Sequence, residues 1–108
     1  ITDMEKFLRK NVTKKQRIAM LEYFKDHDLR RTAQRISKIE GRNKPLLYEA
    51  VGSRIKLGLK KLKNLSKSQD KKVADKANLY YKIFYSLKKY NSLHHTQSKK
   101  EISTDITA

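Results

Sequence analysis

The residues able to do bond chemistry or hold a metal are few: three histidines, eleven carboxylates and no cysteine in 108 residues. His27, His94 and His95 have no H-x-x-x-H or E-x-x-H spacing, so they build no metal-ligating helix face. His94 and His95 lie in a polar stretch and read as solvated. The three glycines form neither a phosphate-cradling G-x-x-x-x-G-K loop nor a dinucleotide fingerprint. Carboxylates are scattered and mostly flanked by lysines, so no pair suggests acid–base work. The expectation is a chain that is not an enzyme, with no catalytic residue, no metal and no cofactor.

Its cations carry more information. Lys and Arg total 27 against 11 Asp and Glu, a formal charge of +16. Such a body attracts polyanions: nucleic acid, acidic disordered segments or anionic lipid. The densest run, Arg54 to Lys67, holds Arg54, Lys56, Lys60, Lys61, Lys63 and Lys67 without one acid. It suits sequence-blind, salt-sensitive phosphate contacts; the alternative is a solvated helix face. Tyr80, Tyr81, Phe84, Tyr85 and Tyr90 form a late aromatic cluster. Exposed, they would stack on single-stranded bases. At helical spacing Tyr80 and Phe84 read as core, leaving Tyr81 and Tyr85 for surface contacts. Arg30, Arg31 and Arg35 on a third helix suggest a helix-turn-helix, but the turn before them lacks its small-residue-then-glycine pattern.

These residues must be positioned by helices. Three glycines and one proline leave few breaks, and apolar residues recur every three or four positions. Asp3 to about Lys10 carries Met4, Phe7 and Leu8 on one face. Asn11 and Val12 interrupt it, and Thr13 with Gln16 makes a capping box that starts a second helix. Its expected inner face is Ile18, Leu21 and Phe24, with Met20 alongside. After a turn near His27 and Asp28, a third helix turns Leu29, Ala33, Ile36 and Ile39 inward and stops at Gly41. Arg42 to Pro45 reads as a loop, with Pro45 in the first turn of a fourth helix. That helix buries Leu47, Val51, Ile55, Leu59 and Leu62; Gly58 allows close helix contact, and Gly52-Ser53 is a place where it can split. After a break at Leu65 to Ser68, Ser68 caps a final helix reaching about Tyr90, which packs along the fourth. Its stripe is Val73, Ala77, Tyr80, Phe84 and Leu87, widened by Ile83. The organisation expected is an all-α bundle of about five helices over residues 1–92, then a polar, disordered tail over 93–108. No stretch approaches the roughly 18 apolar residues that span a membrane, and no signal-peptide pattern opens the chain. Ile1 in place of an initiator Met suggests a piece of a longer protein, expected to be monomeric.

Ile55 to Leu87 reads IKLGLKKLKNLSKSQDKKVADKANLYYKIFYSL. It resembles the last two helices of the TFIIS N-terminal-like domain family: an apolar helix ending in a basic L-K-K-L patch, a polar loop, then V-x-x-x-A-x-x-L and a large aromatic. Leu59, Leu62, Val73, Ala77, Leu79 or Tyr80, and Phe84 fill those slots. Phe84, where the elongation-factor branch usually has Trp, looks more like the integrase-binding-domain branch. Phe7 to Leu21 resembles the family's first interhelical loop, with Asn11, Val12, Thr13 and Ile18 at comparable places. Ser37 to Ala50 departs from the family by being longer and more polar.

The resemblance implies a compact right-handed bundle in a nuclear transcription or chromatin factor. Its implied partners are short, disordered acidic-plus-aromatic peptide motifs. The matching contact positions are Arg9, Lys10, Asn11 and Val12 in one loop and Leu65, Ser66 and Lys67 in another. Leu65 stands where that branch has an aromatic wedge, and Lys10 where it has an acceptor aspartate. Lysine accepts no hydrogen bond, so the same ligand should not bind in the same way. Apart from any resemblance, Val12 and Leu65 are apolar residues in chain breaks ringed by cations, which suits a hydrophobic anchor with acidic flanks. The opposing reading has Val12 bracing a helix start and Leu65 sealing the bundle end. The second functional reading is a basic helical domain contacting DNA weakly, without sequence preference, through Arg54, Lys56, Lys60, Lys61 and Lys63.

Overall fold

Four of the five helices begin where a side chain satisfies free N–H groups of the first turn; the fourth in chain order has no such cap. The computed structural model describes residues 2–86, and the regular structure there is entirely helical. The Thr2 hydroxyl accepts from Glu5 N and opens α1, Asp3–Asn11. Thr13 and Gln16 form the expected reciprocal capping box ahead of α2, Lys14–Asp26. Asp28 accepts from Arg30 N and Arg31 N to start α3, Leu29–Ile39. Two residues link α2 to α3, and His27 takes a left-handed φ of 57° to make so short a turn. Gly41, φ 62°, closes α3: its N–H donates to Lys38 O and that of Arg42 to Ser37 O, a Schellman ending.

The fourth helix, α4, runs unbroken over Tyr48–Leu65, so Gly52-Ser53 does not divide it. It starts later than the proline suggested. Ser37 Oγ accepts from Leu46 N at 2.8 Å, which fixes the loop in a non-helical course past Pro45. Leu47 becomes the cap residue and is 70% exposed rather than core. The fifth helix, α5, covers residues 71–86. Asp70, not Ser68, is its cap: the Asp70 carboxylate accepts from Lys72 N and Val73 N, while Ser68 Oγ accepts from Asp70 N. Expectations about Leu87, Tyr90, His94, His95 and the tail over 93–108 lie outside the described residues.

One apolar cluster joins all five helices. α2 is central, touching α1, α3 and α4 and, through the Phe24–Phe84 ring pair at 5.7 Å, α5. Its buried face is Ala19, Met20 and Tyr23 with Gln16, not Ile18, Leu21 and Phe24. Ile18 and Leu21 lie half-buried on the flanks, and Phe24 is 41% exposed. On α3, Ala33 and Ile36 are buried as expected while Ile39 faces solvent. Val51, Ile55, Leu59 and Leu62 form the inner face of α4. Gly58 brings α4 close to α2: a Cβ there would stand 2.5 Å from Met20 Sδ. Ala77, Tyr80 and Phe84 are the inner stripe of α5, with Val73 and Ile83 half-buried beside them.

Charged side chains fasten the hairpins. Arg35 on α3 donates to Glu22 Oε1 at 3.0 Å, to both Asp26 oxygens at 2.9 and 3.1 Å, and to Glu22 O at 2.7 Å. This guanidinium holds the Asp26 carboxyl below its usual range. Arg54 on α4 reaches Glu40 at the end of α3 at 2.8 Å, and together with Arg42 lowers the Glu40 pKa. Between α1 and α5, Tyr80 OH and Lys76 Nζ both donate to the Asp3 carboxylate.

Candidate functional site

α1 places Asp3, Lys6, Phe7 and Lys10 at i, i+3, i+4 and i+7, one side of the helix. α5 meets that side through Tyr80, whose ring lies 5.5 Å from that of Phe7. Where the two helices meet is a shallow depression of about 380 Å³, lined by Asp3, Lys6, Phe7, Arg9, Lys10 and Lys76. Four cations therefore surround one carboxylate. That carboxylate is already engaged: Tyr80 and then Lys76 hold the Asp3 pKa below its ordinary 3.8. Arg9 pairs with Glu5 at 3.6 Å in an exposed i,i+4 contact, worth a few tenths of a kcal/mol (~0.3–0.5). Among the described residues, Lys6 and Lys10 form no ion pair with any carboxylate. Its lining is mostly apolar, from side-chain stems and the small part of Phe7 that reaches the surface, and the Lys6 and Lys10 ammonium groups are unpaired among the described residues.

The residues expected to contact a partner divide at this point. Arg9 and Lys10 line the depression. Asn11 turns back on its own helix, Nδ2 donating to Phe7 O at 2.8 Å. Val12 is buried in the apolar cluster and does not line the depression. Leu65 is half-buried against the same cluster, which leaves the sealing reading as the one its packing supports. Ser66 caps α4, its Oγ donating to Lys63 O, and Lys67 is exposed. None of Leu65, Ser66 and Lys67 lines the depression; its second side comes from Lys76 on α5. Sequence reasoning passed over Lys6 and Lys76. The spacing of Asp3, Lys6, Phe7 and Lys10 was the available signal for α1, whereas nothing local pairs residue 76 with residue 3.

The basic run divides too. Arg54 is 14% exposed and bound to Glu40, which removes it from any outward patch. Lys56, Lys60, Lys61 and Lys63 are exposed, and among the described residues none forms an ion pair. Of the arginines suggested for a recognition helix, Arg35 is withdrawn while Arg30 and Arg31 stay exposed. Arg35 sits inside the α2–α3 network, Arg30 lies 5.0 Å over the Tyr48 ring, and Arg31 stands 3.9 Å from Asp28. Tyr81 and Tyr85 stack on each other at 5.7 Å, Tyr81 half-buried against the core and Tyr85 about half exposed. Among the described residues, no group of three or more His, Asp or Glu could hold a metal ion. No described helix is long and apolar enough to cross a membrane.

No protein-family model, curated protein or solved structure matches this chain.

Proposed function

We propose that this domain is a non-enzymatic interaction module that captures short, disordered acidic segments carrying an apolar or aromatic side chain. The observation behind this reading is the α1–α5 depression, where Lys76 engages the one lining carboxylate and Lys6 and Lys10 stay unpaired beside an apolar lining. An incoming Phe or Leu would lie against Phe7 and the lysine stems, and its acidic neighbours would meet Lys6, Lys10 and Arg9. Charge at the rim mainly speeds encounter, while the apolar contact sets the dissociation rate. The affinity is micromolar, because ordering a flexible peptide offsets a few kcal/mol (~2–5) of the interaction. The resemblance to the TFIIS N-terminal-like family points the same way, toward partners among transcription and chromatin factors in the nucleus. Compared with that resemblance, the contact surface moves from the Val12–Leu65 end to the side of α1.

The test is an amide chemical-shift titration with an acidic, Phe-containing peptide, alongside variants lacking the Phe or the acids. Shifts at Lys6, Phe7, Lys10 and Lys76 are expected, and Lys10→Glu should weaken binding roughly tenfold. Shifts restricted to residues 56–63, or equal binding of the Phe-less peptide, would defeat the reading.

A further inference from the structure

From Ala50 to Gln69 the chain has no carboxylate, and α4 occupies most of that stretch. The fold then sorts its cations. Arg54 turns inward to Glu40, while Lys56, Lys60 and Lys63 stay outside and unpaired. Their spacing, i, i+4 and i+7, puts them in one row on an α-helix. Lys67 continues the row in the turn after the helix, and Lys61 stands one step round beside it. The row from Lys56 to Lys63 is roughly 10 Å long at 1.5 Å per residue. The phosphates of one duplex strand rise about 3.4 Å each along the axis while winding round it, so three lysines over that length can reach about two or three of them.

We infer that the outer face of α4 is a phosphate-backbone contact for duplex nucleic acid, carried by Lys56, Lys60, Lys63 and Lys67. This surface uses none of the residues lining the α1–α5 depression and stands whether or not a peptide binds there. Charge complementarity over an acid-free row favours a duplex, whose phosphates are already held in place, over an acidic peptide that must be ordered to bind. Lysine meets phosphate as a point charge, without the planar fork that reads a base edge. The run's single arginine is locked by Glu40. Binding is therefore indifferent to sequence and steep in salt.

Four phosphate contacts give a slope of log K against log salt of about −3.6, an affinity loss of roughly 150-fold between 50 and 200 mM. The experiment measures binding of the 108-residue chain to two unrelated DNA duplexes across that range, by fluorescence anisotropy. Lys56→Gln, Lys60→Gln and Lys63→Gln should each reduce the slope by about 0.9. Lys44→Gln, an exposed lysine in the α3–α4 loop, should leave it unchanged. Unaltered far-UV circular dichroism will show that the variants fold. Slopes indifferent to the three α4 changes would overturn the inference, as would strong discrimination between the duplexes. Displacement of the DNA by poly-glutamate at equal charge concentration would also overturn it, because it would make an acidic protein the better occupant.

Discussion

Tyr80 carries two roles on one side chain: its ring packs on Phe7, and its hydroxyl donates to the Asp3 carboxylate. Burial, reinforced by that carboxylate, pushes the phenol up to about 12 from an ordinary 10.0. A raised folded-state pKa means the contribution is complete below pH 10 and fades as pH climbs from 10 to 12. Asp3 behaves in the opposite sense. Tyr80 and Lys76 depress its pKa below 3.8, so its contribution is present above that value and fades as pH falls. Urea midpoints followed through the alkaline range should drop less steeply in Tyr80→Phe than in the parent. Superimposable profiles between pH 10 and 12 would show that the hydroxyl contact adds nothing. Lysine deprotonation affects both proteins alike, so the comparison isolates the phenol. This contact joins residues 77 positions apart, and no local pattern announces it. The same holds for Arg54 and Glu40, 14 positions apart, which is why Arg54 looked like a member of the basic patch.

At the scale of elements, the start of α2 was readable because capping is local chemistry: Thr13 and Gln16 are three residues apart and satisfy each other's backbone. Gly41 was readable for the same reason, since the left-handed position after a helix favours a residue without Cβ. The face of α2 was not. Ile18 through Phe24 is apolar on nearly every side, and which residues go inside depends on four neighbours that its own periodicity does not specify. The two glycines of α4 make a sharper comparison. Nothing lies within 4 Å of a Cβ added at Gly52, so Gly52→Ala should stabilise the fold by about 1 kcal/mol. At Gly58 the same Cβ meets the fully buried Met20. Overpacking there costs about 1–3 kcal/mol, more than the helix-propensity gain, so Gly58→Ala should destabilise. Opposite shifts in the denaturation midpoint are expected. A stabilised Gly58→Ala would mean that Met20 yields freely and α4 does not need its close approach.

Across the described residues, four carboxylates fasten the fold internally: Glu22 and Asp26 on Arg35, Glu40 on Arg42 and Arg54, Asp3 on Lys76. The excess of cations is left facing solvent, where it repels itself. Raising salt from 0.01 to 0.1 M shortens the screening length from about 30 to about 10 Å. That relieves the repulsion more than it weakens the partly buried pairs, so the melting temperature should rise. About 1 kcal/mol of relief corresponds to roughly 4–8 °C for a domain of this size. A melting temperature that falls with added NaCl would show instead that the exposed ion pairs outweigh the repulsion. The same electrostatics was legible from composition alone; which lysines it leaves outward was not.

The Asp3–Tyr80 contact also sets a schedule. A chain emerges from synthesis in order, at about 5–20 residues per second. The α1 residue Asp3 must therefore wait roughly 4–15 s, while the next 77 residues are made, before its partner exists. Throughout that interval the Phe7 side of α1 has nothing from α5 to lie against. Made well before its partner, α1 is completed only late, and the growing chain carries an uncovered basic-apolar stripe until α5 arrives.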